Sequence, residues 1–248
     1  MAKEHTMNET IKQLNERKSV RVFLEREIEK EKKDAILDAA FSAPTAGNQQ
    51  LYTVIDVTDG KIKDRLVETC DNQPFIASAK MVLIFCADCK KWYDAFRYAG
   101  CEVRTPGVGD LLLAVSDANI AAQNAVTAAE SLGIGSCYIG DIMENCEEQR
   151  ELLGLPKYVF PAAMLVFGYP AEQQKARKKP LRADKKHIVH ENSYRQMNAE
   201  ELCELFSIRA ESKSYEEYMM AFCERKYNSD FSREMSRSVG KYLSDFEE

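Results

Sequence analysis

The sequence predicts an α+β fold in which helices flank a single sheet. Three observations carry that reading. Met81–Ala87 is an uninterrupted apolar run of strand length, the pattern of a central strand covered on both faces. Gly109–Leu132 is rich in Ala, Leu and Val and nearly apolar all round, so it reads as a buried helix. Strands and long helices follow one another without regular βαβ alternation, which favours an α+β sandwich around one sheet over a doubly wound fold.

The remaining elements follow in chain order. Asn8–Glu16 reads as a helix with Asn8 as its N-cap and Ile11 and Leu14 facing inward. A second helix covers about Glu27–Phe41, where Ile28, Ile36, Leu37 and Ala40 recur near helical spacing and Pro44 stops the chain. Leu51–Val57 reads as a strand, and Lys61–Thr69 as a helix with Ile62, Leu66 and Val67 on one face. Gly133 stands where the buried helix must end. Ser136–Ile139 and Ala162–Gly168 are short strands, separated by a helix over Glu147–Leu153 that Gly154 and Pro156 close. The stretch 173–186 is basic without a hydrophobic period and reads as an exposed loop. Ala199–Arg209, Tyr215–Tyr227 and Ser232–Phe246 read as three terminal helices. With no evident linker, residues 1–248 are expected to form a single domain with a helical extension over about 198–248.

Composition narrows the function. The 248 residues carry 34 Lys+Arg against 40 Asp+Glu, a net charge of −6, which argues against generic nucleic-acid or anionic-membrane binding. No apolar run approaches the ~18 residues of a membrane span. The N-terminus MAKEHTMNET lacks an apolar export segment. The eight cysteines are therefore expected to be reduced thiols of a cytoplasmic protein. Cys86 and Cys89 form a lone C-x-x-C with no second Cys or His pair, so no metal is expected there. Asp88 beside them disfavours the low thiolate pKa of a redox pair.

Three clusters remain as candidates for chemistry. Arg17-Lys18-Ser19-Val20-Arg21 places two guanidinium groups and a hydroxyl on one short segment, a donor set suited to a phosphate and its neighbouring hydroxyls. Lys175, Arg177, Lys178, Lys179, Arg182, Lys185 and Lys186 crowd a second basic segment. Alone, each is adequately explained as solvated charge, at a helix end or on a loop. Together they suit one anion held from two sides. The third cluster is neutral: the small-residue turn Ala43-Pro44-Thr45-Ala46-Gly47-Asn48-Gln49-Gln50 and the glycine-rich stretch Gly133–Asp141, where backbone can approach a flat ligand. The sequence has no P-loop, no G-x-S-x-G elbow, no H-E-x-x-H and no G-x-G-x-x-G fingerprint. An anion-capable polar pocket without an evident nucleophile or base suits an enzyme whose cofactor carries the chemistry.

In order and spacing these segments resemble the FMN-dependent nitroreductase family, in particular its NADPH-dependent nitro- and flavin-reductase branch. Arg17, Ser19 and Arg21 resemble the family's R-x-S-x-R segment for the FMN phosphate and ribityl chain, with Lys18 inside it. Pro44, Thr45, Asn48 and Gln50 resemble the turn that lines the isoalloxazine ring. Gln73 resembles the flavin-binding Gln of an N-Q pair. Tyr138-Ile139-Gly140-Asp141 resembles the Y-I-G-G turn whose amides reach flavin N5 and O4. Lys179 and Arg182 resemble the K-P-x-R phosphate grip, whose register Arg177 or Lys178 would shift. Two departures stand out. Leu51-Tyr52 follow Gln50 where the family continues Pro-Trp, and Asp141 replaces a common Gly, either tuning the flavin edge or simply facing solvent.

The resemblance implies a nitroreductase-like sandwich with a mostly antiparallel sheet and an intertwined homodimer holding two FMN sites. It also implies terminal helices that cross to the partner. The implied activity is ping-pong hydride transfer from NAD(P)H, NADPH favoured over NADH, to nitroaromatics, quinones or flavins. No side chain is then required as acid or base. The alternative from another class is a non-catalytic FMN-storage protein on the same fold.

Overall fold

A computed structural model describes residues 8–210 and 213–247. The described residues gather into two compact units, Met1–Arg177 with Met235–Glu248, and Lys178–Glu234.

The first unit is built on one four-stranded antiparallel sheet in the order β1-β2-β4-β3, with β1 Tyr52–Asp56, β2 Met81–Asp88, β3 Gly135–Ile139 and β4 Val159–Gly168. β2 and β4 are buried along their whole length, which is why they read as continuous apolar runs rather than alternating ones. Their register shifts between Phe85 and Cys86, opposite Pro161. Proline offers no N–H to the ladder, so a local irregularity there is the expected accommodation.

Helices α1 Glu9–Glu16, α2 Lys30–Phe41, α3 Gly60–Thr69, α4 Phe75–Ser78, α5 Lys90–Tyr98, α6 Val108–Ser131 and α7 Cys146–Leu153 pack around this sheet, and α8 Glu172–Ala176 follows it. Helix α6 lies against β2, β4 and α2, burying Leu111, Ala114, Ala118, Ala121, Ala122, Ala125, Val126 and Ala129. Small side chains along that face permit the close approach. Gly133 ends the helix with φ +72°, a left-handed conformation that glycine adopts without steric cost. The second unit carries α9 Ala199–Ser207 and α10 Tyr215–Lys226, each started by a capping box, Asn198/Glu201 and Ser214/Glu217. Helix α11, Asp230–Leu243, begins in this unit and ends in the first.

The α+β expectation holds, and several details are corrected. Asn8 caps α1 as expected, its Oδ1 accepting from the Ile11 N–H at 2.9 Å. Ile11 and Leu14 do not face inward: they stay 41% and 46% exposed, because α1 lies on the outside of the chain and buries no residue. Helix α2 starts at Lys30 rather than near Glu27. The stretch 173–186 is not wholly a loop, since α8 runs into its start and the 3-10 turn Lys185–His187 begins at its end. The last helix does not leave the chain's own core: Tyr242 is fully buried, its ring 5.1 Å from that of Phe160 in a T-shaped pair. Helices α4 and α5 are additions that the sequence reading does not include. Among the described residues, no helix is long and apolar enough to cross a membrane.

Candidate functional site

The residues singled out in the sequence fall into three groups. The first is assembled along β3. At the end of α1 the Arg17 N–H donates to the Gln13 carbonyl, and the chain then turns extended. Ser19 pairs with Ser136 in a parallel bridge and Phe23 with Pro170 in an antiparallel one, so residues 19–24 run along the end of the sheet. The Val20 N–H donates to the Ser136 carbonyl at 2.9 Å. This track carries Arg17 to Tyr138, whose phenol is pushed up to about 12 by burial, with the nearby Arg17 charge opposing that rise. Nε and Nη2 of Arg17 are buried and have no hydrogen-bond partner.

Arg21 lies over the Phe75 ring, 5.9 Å from its centroid. Two residues before Phe75, Gln73 donates from Nε2 to the Cys70 carbonyl at 2.9 Å, leaving its amide oxygen available. It follows two left-handed residues, Asp71 and Asn72. Cys70 in turn feels Asp141: its thiol is pushed up to about 12, first by burial and then by that carboxylate. Asp141 is half-buried in the 3-10 turn Gly140–Met143 that follows β3, so it does not stand clear in solvent. Ile139 is buried and Gly140 is exposed. Arg17, Ser19, Arg21, Gln73 and Tyr138–Asp141 thus join in one connected patch.

Lys18 sits in the same segment but is already engaged. Its Nζ donates to the carbonyls of Lys175 and Arg177 at 2.7 and 2.6 Å, while Arg177 Nη2 donates to the Ser19 carbonyl at 2.7 Å. The Arg21 N–H donates to Gln174 Oε1 at 3.2 Å. These bonds strap 174–177 onto 18–21 and commit both Lys18 and Arg177 to backbone.

The second group is the turn of Pro44, Thr45, Asn48 and Gln50. It is anchored on the buried Asp117 of α6, whereas Tyr138 of the first group meets α6 at Gln123, its hydroxyl 3.4 Å from Oε1. At ~1.5 Å per residue, those two stations on α6 lie about 9 Å apart along the axis. The third group, Lys179 and Arg182, belongs to the second unit. There Arg182 lines a cleft with Pro180, Leu181, Ile208, Arg209, Tyr218 and Phe222.

Sequence reasoning missed Asp117, Gln123 and Trp92, whose Nε1 donates to the Gln49 carbonyl at 2.8 Å. Asp117 is the one carboxylate among the buried residues of α6, but Asp110 and Glu130 stand on the same helix, so the sequence does not single it out.

The C-x-x-C carries no reactive thiol. Cys86 and Cys89 are each pushed up to about 12, first by burial, with Asp88 adding to Cys86 and Asp110 and Asp88 adding to Cys89. Iodoacetamide at pH 8 is therefore expected to label the exposed Cys101 and Cys223 and to leave Cys70, Cys86 and Cys89 unmodified. Peptide mass mapping of the folded protein reads this directly, and rapid alkylation of Cys86 or Cys89 contradicts it. Among the described residues no cluster of His, Cys, Asp or Glu has the arrangement of a metal site.

Comparison with known proteins bears on this geometry as a whole. The sequence model described as "Nitroreductase family" matches residues 14–169, from the end of α1 through β4. An FMN reductase of Bacillus subtilis (strain 168), NAD(P)H-dependent by name, is 36% identical over 239 residues, covering 95% of this chain and 91% of the relative. An oxygen-insensitive NADPH nitroreductase of Salmonella typhimurium is 36% identical over 193 residues, 77% of each chain. Among solved structures, B. megaterium NfrA2 superposes with a TM-score of 0.84 at 31% identity, over 98% of this chain and 100% of that one. Sequence pattern and fold agree over the region that builds the Arg17–Asp141 patch, and the chain belongs to the nitroreductase family.

Proposed function

We propose that the chain is an FMN-dependent NAD(P)H oxidoreductase, NADPH favoured, that reduces flavins and nitroaromatic compounds and, by the same chemistry, quinones. Relatives named FMN reductase and NADPH nitroreductase support the reaction class. The observation that carries the cofactor assignment is Arg17, whose buried Nε and Nη2 have no hydrogen-bond partner among the described residues. A buried charged donor left unmade is costly, and a phosphate beside it satisfies that demand.

The residues present fit FMN. Arg17 and Arg21 would hold the phosphate from the first unit, with Lys18 keeping the segment in place rather than reaching the ligand. Lys179 and Arg182 keep their part in this reading by sequence alone, through their resemblance to the K-P-x-R segment. The Ser19 hydroxyl and the Gln73 amide oxygen are suited to ribityl hydroxyls. Gly140 is exposed at the head of its 3-10 turn, and its N–H would be a donor suited to the flavin edge, where it would favour negative charge. When bound, FMN would supply the hydride-transfer chemistry between nicotinamide and acceptor. No side chain of the patch is then needed as acid or base.

The same reading assigns a homodimer in the cytoplasm. Leu112, Leu113 and Ile120 on α6 are 61%, 52% and 40% exposed, and Ile11 and Leu14 of α1 are exposed as well. A second copy covering these faces removes apolar area that water otherwise meets.

Purified protein is expected to be yellow, to retain FMN on desalting, and to give a higher initial rate with NADPH than with NADH at fixed quinone and fixed nitrofuran. Colourless protein that takes up no added FMN overturns the assignment. FMN binding without NAD(P)H-driven reduction in stopped flow overturns the activity alone.

A further inference from the structure

We propose that Asp117 is a positioning residue that sets the shape of the 45–51 turn and thereby the face this turn presents to the flavin ring; the proposal rests on the flavin reading above.

Asp117 is 3% exposed, on a helix whose buried face is otherwise Ala, Leu and Val. Its carboxylate is taken up entirely by the turn. Oδ1 accepts from the Ala46 N–H at 3.0 Å, while Oδ2 accepts from the Leu51 N–H at 3.2 Å and from the Thr45 hydroxyl. One side chain therefore pins both ends of the turn. Between those ends Gly47, Asn48 and Gln50 all take left-handed backbone, at φ +55°, +56° and +48°. For Asn48 and Gln50 that conformation is unfavourable and persists only where surrounding bonds impose it.

The bookkeeping of donors sharpens the assignment. The Thr45 hydroxyl has one proton, which goes to Asp117, and one of its lone pairs receives the Gln50 N–H at 2.7 Å. Thr45 is therefore spent on the turn and has no proton left for a ligand. The N–H groups of Ala46, Asn48, Gln49, Gln50 and Leu51 are likewise used within the turn or on Asp117. The exposed carboxamide of Asn48 makes no hydrogen bond within the described residues, and it is the group the turn holds out to a ligand. Its direction depends on a left-handed backbone that Asp117 imposes.

Asp117→Asn replaces one acceptor oxygen by a donor amide. It can keep one backbone bond but not both, whereas Asp117→Ala loses all three. Hydrogen exchange on full-length protein without added FMN should show one of the Ala46 and Leu51 amides exchanging at least tenfold faster in Asp117→Asn, and both, with Gln50, in Asp117→Ala. FMN affinity should fall about tenfold or more in the same order, with a shifted visible spectrum of whatever flavin remains bound. Val57→Ala, a core truncation away from the turn, should lower Tm without altering exchange at those amides, FMN affinity or the spectrum. Unchanged exchange in Asp117→Ala overturns the proposal, as does faster exchange with unaltered FMN affinity and spectrum. Wild-type protein that takes up no FMN overturns the flavin reading itself, a result distinguishable from wild-type uptake with an unaltered variant.

Discussion

Arg17→Ala is expected to weaken FMN binding by about 10- to 100-fold while leaving the FMN-free protein at least as stable as wild type. The two halves of that result have one cause. In the chain alone, Nε and Nη2 of Arg17 are buried beside Tyr138 without a partner. An unsatisfied buried donor costs on the order of 1–3 kcal/mol, more when charged. Truncation removes that cost, so the melting temperature of the FMN-free variant should stay level or rise. In the complex, a hydrogen bond to a charged partner contributes about 1.5–3 kcal/mol, and ~1.4 kcal/mol is a factor of ten in affinity. A residue that merely supported the fold would behave in the opposite way, lowering Tm first and affinity only as a consequence. Equilibrium titration with FMN and a thermal melt of the FMN-free protein separate the cases. A lower Tm with unchanged affinity removes Arg17 from the phosphate site. Arg21→Ala should be milder, because Arg21 is exposed and its loss relieves no burial.

The contrast between Arg17 and Lys18 shows where a sequence is legible and where it is not. Local signals were sufficient for most elements. Asn8 and Gly133 mark helix ends because capping bonds join residues a few positions apart. The continuous apolar runs of β2 and β4 mark strands buried on both faces. Helix α5 does separate Trp92, Tyr93 and Phe96 from its charged residues, but it is short, buries no residue fully and follows directly on β2, so the sequence reading passes over it. Ile11 and Leu14 form a genuine apolar stripe, but a stripe says only that something covers it, not that the same chain does. Motif spacing located the basic segment at 17–21 and could not divide its roles. Lys18 and Arg177 turn out to hold backbone carbonyls across more than 150 positions of sequence. Such long-range bonds leave no periodic trace, and the same is true of Asp117 and the turn it organises.

Gly135→Ala is the second large effect, and it reaches the site without touching any proposed ligand contact. Gly135 and Gly168 are register partners in the β3–β4 pair. A Cβ at Gly135 would lie 2.6 Å from Cγ2 of Val20 and 2.8 Å from its Cβ, and one at Gly168 would lie 2.7 Å from Cδ1 of Phe23. Neither glycine is needed for a left-handed backbone, since neither has positive φ. Both are needed because residues 19–24 cross the sheet where a side chain would otherwise stand. Val20 is buried and β-branched, so it has little freedom to yield. Relief must come from backbone movement of the segment that carries Arg17, Ser19 and Arg21. Overpacking of this kind costs about 1–3 kcal/mol, and a chain of this length loses roughly 2–4 °C of Tm for each kcal/mol. Displacement of the segment should also weaken FMN binding by more than tenfold, because its donors shift together. Val20→Gly in the same chain removes both Cβ and the Cγ atoms of Val20 and so makes room for the new methyl group. Gly135→Ala/Val20→Gly is therefore expected to recover FMN affinity relative to Gly135→Ala alone, although Val20→Gly by itself costs stability. A double variant no better than Gly135→Ala would show that the glycine serves something other than the passage of residues 19–24.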